Sequence, residues 1–132
     1  MMSKTPKQKL WKLAYETFRE YIRKRDTNFQ GYARDPSDGK IYLASEMDIG
    51  HWRHGKGKEC YFWETNCHLQ AKKNNYYGGQ DVLQNYTIWM IKTYGLKEVE
   101  RIKKAKRIYW TNKKLEEVIE KYKKLLGKPK KC

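Results

Sequence analysis

The 132-residue chain has no uninterrupted apolar run near the roughly 18 residues that a membrane span needs, which excludes a transmembrane helix. Its amino-terminal stretch, Met1 to Lys12, is too charged to form the apolar centre of a secretory signal. Cysteine is scarce: Cys60, Cys67 and Cys132 are an odd number without a repeated spacing, which argues against a disulfide framework. Acidic residues are also short, 15 Asp and Glu against 30 Lys and Arg. No internal repeat or change of composition divides the chain. These absences lead to the expectation of a soluble cytoplasmic protein, with residues 1–132 as one domain.

Large side chains and positive charge are what the sequence does have. Five Trp and eleven Tyr supply more core material than a disordered basic tail carries. The formal net charge is +15. Residues 1–66 hold 13 Lys and Arg against 9 Asp and Glu, and residues 67–132 hold 17 against 6, so the surplus lies toward the carboxyl end. Such a field recruits polyanions, and nucleic acid is the partner it points to, because each phosphate neutralised releases counterions. An anionic membrane surface fits less well, since the aromatic residues are scattered and not gathered on one basic amphipathic helix.

The pattern along the chain predicts an α+β, mostly helical fold. Thr5-Pro6 starts a helix in which Leu10, Leu13, Ala14, Phe18, Tyr21 and Ile22 recur at helical spacing, ending near residues 24–25. Residues 26–39 read as loop and turn. Residues 40–47 have strand composition, and a second extended piece is expected near 61–63, with an exposed loop at 51–58 between them. From Asn66 the pattern turns helical for about two turns, until Gly78-Gly79 break it. Carboxyl-terminal helices then occupy residues 80–127. One carries Val82, Tyr86, Trp89 and Met90 up to Gly95, and the last is capped by Thr111 or Asn112 and ends at Gly127. Residues 128–132 form a tail. The stripe Leu115, Val118, Ile119, Tyr122 and Leu126 serves either the protein's own core or a homodimer. Trp11 and Trp89 belong to core stripes; Trp52 and Trp110 are candidates for stacking on an unpaired base.

All three histidines fall between residues 51 and 68, among Asp48, Asn66, Asn74 and Asn75. Carboxylate and amide oxygens can hold a divalent cation against a leaving oxygen, and a neutral imidazole can take a proton from water near neutral pH. A polar loop with scattered His and Asn has the same composition.

The order of these residues narrows the choice. Asp48-Ile-Gly-His51, Asn66 and Asn75 resemble the strand–loop–strand–helix, or ββα-metal, arrangement of the HNH nucleases. Within that class the chain is most similar to the NinG/Rap group of lambdoid phage recombination proteins. The matching segments are Asp48-Ile-Gly-His51-Trp-Arg53, Asn66-Cys-His68-Leu-Gln70-Ala-Lys-Lys-Asn74-Asn75, Tyr77-Gly78-Gly79-Gln80, and Tyr86-x-Ile88-x-x-Ile91-x-x-x-Gly95-Leu96-x-x-Val99-Glu100. The resemblance implies an HNH-like core at residues 40–77. It also implies His51 as general base, Asn66 as the residue fixing the loop that carries it, and Asp48 and Asn75 as ligands of Mg2+ or Mn2+. His68 then touches phosphate or metal, or is a satisfied, partly buried imidazole.

Basic residues expected to track the phosphate backbone are Arg53, His54, Lys72, Lys73, Lys97, Arg101, Lys104 and Arg107, which position a duplex without reading its sequence. The implied substrate is a branched recombination intermediate, a D-loop or Holliday-like junction, cut by a dimer in the cytoplasm of a phage host. A non-catalytic, structure-selective DNA-binding protein and an RNA-directed nuclease or RNA-binding module are the other readings. The resembled group carries Cys-x-x-Cys pairs that fall here near Ala33 to Ser37 and at Ala71 and Asn74, where there is no cysteine. A four-thiolate zinc is therefore not expected, and packing alone is expected to brace the fold.

Overall fold

The computed structural model of the chain describes residues 5–128. Its elements are α1 (Pro6–Asp26), β1 (Tyr32–Arg34), β2 (Ile41–Leu43), β3 (Met47–His51), β4 (Cys67–Ala71), α2 (Lys72–Tyr77), α3 (Gln80–Tyr94), α4 (Leu96–Lys103) and α5 (Asn112–Leu126). The fold is α+β, with β1–β2 and β3–β4 as two separate antiparallel pairs. No helix among the described residues is long and apolar enough to cross a membrane.

α1 opens with a reciprocal cap: Gln8 N donates to Thr5 Oγ1 at 3.2 Å, and Thr5 N donates to Gln8 Oε1 at 2.8 Å. Its buried face, Ala14, Phe18 and Ile22, packs on Leu115, Ile119 and Tyr122 of α5. The stripe considered for a dimer is thus largely spent on the protein's own core. Phe18 meets Tyr122 edge-on at 4.9 Å between ring centres, and Tyr122 Oη donates to Phe62 O at 2.8 Å. Fully burying each such side chain stabilises the fold by about 1.5–3 kcal/mol.

The last turn of α1 grips both strands of the β3–β4 pair. Arg23 donates to Ala44 O and, at 3.0 Å, to Met47 O. Arg25 donates to Glu64 O at 2.7 Å and Cys67 O at 2.6 Å, while the Asp26 carboxylate accepts from Leu69 N at 3.0 Å. A second cluster, Cys60, Tyr86, Met90, Val99 and Ile102, fastens α3 and α4 to the long β3–β4 connection.

Five expectations need correction. Residues 26–39 contain β1, and the strand expected at 40–47 is two strands: β2, a tight turn at 44–46, and β3. Arg23 takes the Ala44 and Met47 carbonyls, which ends one ladder and begins the next. His51 therefore stands at the end of a strand and not in a loop. The extended piece near 61–63 is turn, and the helix expected from Asn66 is β4 followed by α2 from Lys72. β4 is buried at all five positions, so it lacks the alternation that announces a half-buried strand.

The last correction concerns bracing. Near Ala33–Ser37 and at Ala71 and Asn74, the structure holds a buried carboxylate. Asp35 is fully buried and accepts from Ser37 N (2.7 Å), Ser37 Oγ (2.5 Å), Ala71 N (2.8 Å) and Asn74 Nδ2 (2.8 Å). Asn74 Nδ2 also reaches Asp38 Oδ2 at 2.9 Å, and Gln70 Nε2 donates to Ser37 Oγ at 3.0 Å. A polar network, in addition to packing, ties the β1–β2 turn to the start of α2.

Candidate active site

β3 and β4 pair in the register Asp48↔Gln70, Gly50↔His68 and His51↔Cys67, and α2 follows β4 directly. This hairpin-then-helix unit places His51 at the end of β3. His51 Nε2 lies 3.0 Å from Tyr61 O. A carbonyl only accepts, so Nε2 carries the hydrogen and Nδ1 keeps a lone pair. No hydrogen bond among the described residues involves Nδ1. Every fully buried side-chain nitrogen and oxygen there has a partner, so Nδ1 reaches solvent. The ring stacks on Tyr61 at 4.3 Å between centres. Burial pulls the His51 pKa down to about 4, against the opposing hydrogen bond to Tyr61 O and with help from the nearby His54 and Lys58. The imidazole is neutral at pH 7 with one nitrogen free to accept a proton.

Asn66 closes the long β3–β4 connection. Its Oδ1 accepts from Arg53 N at 2.9 Å, and its Nδ2 donates to Arg53 O at 2.8 Å and Cys60 O at 3.1 Å. The side chain is fully buried, and these bonds join the two ends of the connection.

His68 is placed away from solvent, 5% exposed, with both ring nitrogens engaged. Tyr86 Oη donates to Gly50 O at 2.8 Å, so it must accept from His68 Nδ1–H at 2.9 Å. His68 Nε2 then accepts from Tyr94 Oη at 2.7 Å. The chain Tyr94–His68–Tyr86–Gly50 fixes the residue next to His51. With both nitrogens taken, His68 is the satisfied, buried imidazole of the two alternatives, and it holds the strand that presents His51. Burial keeps its pKa well below the usual histidine value, so it stays neutral. Gly50 is required by close approach: a Cβ there would overlap Gln70 Oε1.

A cleft of about 360 Å3 brings His51 and His54 together with Gln70, Asn74 and Asn75, closed off by the Gly78–Gly79 turn and α3. Asp48 is not on its wall. Its carboxylate is close enough to the phenol of Tyr76, the α2 residue after Asn75, to raise the pKa of that phenol.

A family model described as bacteriophage Lambda NinG protein matches residues 2–131. The chain belongs to the NinG family. No curated protein and no solved structure matches it. The match covers both the β3–β4–α2 unit and the helices around it.

Among the described residues no three His, Cys, Asp or Glu side chains converge on one point that could hold a metal ion. A preformed cage is therefore lacking there. The amide oxygen of Asn75, on the cleft with His51, is a hard donor of the kind that suits a cation keeping most of its waters, while the Asp48 carboxylate lies off that wall.

The predicted phosphate-contacting residues divide. Arg53 is internal to the fold: it pairs with Glu59 at 2.7 Å and donates to Ile102 O at 2.5 Å, tying the long connection to the end of α4. Arg101 pairs with Glu98 at 2.6 Å and lies over the Trp63 ring, and Lys104 stands 4.0 Å from Glu100. Lys73 sits over the Tyr42 ring. His54, Lys72, Lys97 and Arg107 are exposed. The two tryptophans considered for base stacking are packed instead. Trp52 donates to Thr87 Oγ1 within the second cluster, and Trp110 packs edge-on against Trp11 and Phe62. Sequence reasoning did not assign the roles of Tyr61, Tyr76, Tyr86, Tyr94 and Asp35. Tyr86 and Tyr94 are eight apart on α3, a spacing that shares a helix face; for the Tyr61 carbonyl no signal exists.

Proposed function

We propose that this NinG-family protein is an HNH-type, metal-assisted DNA endonuclease that cuts branched recombination intermediates, with His51 as general base. Family membership suggests a phage recombination-related role. The observation that carries the chemical part is His51 itself: a neutral imidazole at a strand end, its Nε2–H donated to Tyr61 O and its Nδ1 reaching solvent, on the cleft that Asn75 also lines. Nδ1 takes a proton from the attacking water. The donated Nε2–H stabilises the imidazolium that results, as does the negative phosphate brought against the cleft. Asn66 keeps the connection in place, and the His68 chain holds Gly50, so His51 is positioned before substrate arrives. Asp48 and Asn75 would hold a divalent cation, which, when bound, offsets charge on the leaving oxygen. The exposed cations Lys72, Lys97, Lys104 and Arg107 steer phosphate to the site.

A second reading, a non-catalytic structure-selective DNA-binding protein, draws on the position of Asp48 off the cleft wall and the lack of three converging acidic, His or Cys side chains. One experiment separates them. Labelled four-way junction, D-loop and matched linear duplex are incubated with the protein in Mg2+, Mn2+ or EDTA, beside His51→Ala. The nuclease predicts metal-dependent incision of branched DNA that vanishes in the variant while binding persists. Tight, salt-sensitive binding without incision in any metal sinks the enzyme and leaves the binding protein.

A further inference from the structure

The proposed cleavage chemistry leaves the outer face of the β1–β2 ribbon unused. Its residues alternate cleanly: Ala33 and Tyr42 turn inward onto the core, while Tyr32 and Arg34 on β1 face outward beside Leu43 and Ile41 on β2. Tyr32, Ile41 and Leu43 are 40%, 56% and 42% exposed, and Phe29, on the turn that feeds β1, is 97% exposed. One exposed apolar residue is ordinary, but an aromatic and two aliphatics on one ribbon, with a bare phenylalanine on the turn that feeds it, mark a contact surface.

The phenylalanine is not on a loose loop. Asn28 Oδ1 accepts from both Gln30 N and Tyr32 N at 3.0 Å, Asn28 N donates to Tyr32 O at 2.8 Å, and Gly31 N donates to Asn28 O at 3.0 Å. Gly31 takes φ +89°, a conformation that glycine adopts without strain, and its carbonyl accepts from Ala44 N at 2.9 Å. The turn is closed on both sides and anchored to the core, so presenting the ring costs little backbone entropy on binding.

Charge decides what covers this face. A second copy would bring its own +15, and that repulsion opposes self-association here. A partner that is polyanionic and also offers flat apolar surface is nucleic acid with a base face uncovered. In an intact duplex the base faces are hidden by stacking and only polar edges line the grooves; branch points, gaps and ends uncover them. Aromatic rings stack on any base, and a planar guanidinium such as that of Arg34, anchored here to Gly39 O, adds to the stack.

We infer that the β1–β2 ribbon is a base-stacking platform for DNA opened at a branch point, with Phe29 as its wedge. This rests on the DNA partner of the proposed function but not on hydrolysis. The ribbon selects structure over linear duplex, and the exposed lysines and Arg107 supply structure-blind affinity.

The test is binding by the full chain in EDTA to a four-way junction with 2-aminopurine at the branch, and to the matched linear duplex. Wild type, Phe29→Ala, Tyr32→Ala and Phe29→Trp are compared. Both positions are solvent-exposed, so all variants should melt like wild type. The platform predicts that wild type and Phe29→Trp quench the reporter. Phe29→Ala loses the quench and binds the junction about tenfold more weakly with duplex affinity unchanged. Tyr32→Ala acts in the same direction. Equal junction affinity in all four proteins overturns it, as does a parallel loss on junction and duplex, or binding to neither DNA. A Phe29→Ala protein that changes from dimer to monomer in sedimentation with unaltered junction affinity overturns it in favour of self-association. Incision assays on His51→Ala are read separately: lost cleavage with the quench intact leaves the platform, and cleavage without it leaves only the nuclease.

Discussion

Replacing Asp35 by alanine removes an acceptor that four donors share in a fully buried position. One donor keeps another acceptor, since Asn74 Nδ2 retains Asp38, whereas the Ser37 hydroxyl still accepts from Gln70 but loses the acceptor of its own proton. The other two, Ser37 N and Ala71 N, are main-chain groups that lose the carboxylate outright. Leaving a buried donor unpaired costs about 1–3 kcal/mol, and each hydrogen bond to a charged group contributes about 1.5–3 kcal/mol. The four losses share one desolvation cost for the carboxylate and are not additive, so the net destabilisation is about 3–5 kcal/mol. For a chain of this length that lowers Tm by roughly 12–20 °C. Asp35→Asn keeps one carbonyl oxygen as acceptor and should lose roughly half as much, and Asn74→Ala, which gives up one bond to each of two carboxylates, about 1–2 kcal/mol. Calorimetric melts with and without EDTA measure all three, and the wild-type Tm should not move with chelator. An Asp35→Ala protein melting within about 2 °C of wild type would refute the staple.

Acid should weaken the fold through its histidines. His51 has a folded pKa of about 4 against an ordinary 6.5, and His68 is also lowered, both chiefly by burial. Below pH 6.5 the unfolded chain binds protons that the folded one refuses. Stability is therefore full above about pH 6.5 and falls as pH drops toward 4, by of the order of 3 kcal/mol for His51 alone. Urea melts across that window should show the fall, and His51→Gln should flatten it. Tyr86→Phe removes the hydroxyl between His68 and Gly50, leaving the His68 Nδ1–H unpaired. It should cost about 1–3 kcal/mol and lower junction incision while junction affinity stays within twofold; unchanged incision would remove the positioning role. Gly50→Ala drives a methyl into Gln70 and should cost about 1–3 kcal/mol in a denaturant melt.

The helices were legible because their ends carry chemistry of their own. Thr5-Pro6, Gly95 and Thr111 stand at or beside the caps that the pattern predicts, and Thr111 Oγ1 accepts from Lys114 N. The strands were not, because β4 is buried on both faces and β1 and β2 are three residues each. Spacing brought His51, Asn66 and Asn75 to attention, and the structure puts His51 and Asn75 on one cleft with Asn66 closing the loop behind. What aims His51 is a main-chain carbonyl, which has no residue identity to read. Asp35 lay in an Asp-Pro-Ser-Asp-Gly run whose composition says turn; its partners at 71 and 74 are contacts that only the folded chain makes. Trp52 and Trp110 are hard to read for the opposite reason, since a loop position in sequence does not reveal how far the ring packs against a core cluster.

The pairing of α1 with α5 bears on the order of folding. The first helix leaves the ribosome with Phe18 and Ile22 exposed, and the face that covers them, Leu115 to Tyr122, is made roughly a hundred residues later. Lys24 Nζ, close to the arginines that grip β3 and β4, donates at 2.9 Å to Leu126 O, at the far end of α5. Contacts so distant in sequence must wait for their loop-closure cost to be met, so the hairpin bearing His51 is secured among the last parts of the molecule. A nascent or truncated chain ending before α5 should be an aggregation-prone species without a formed cleft, and whatever the cleft does waits until α5 has been made.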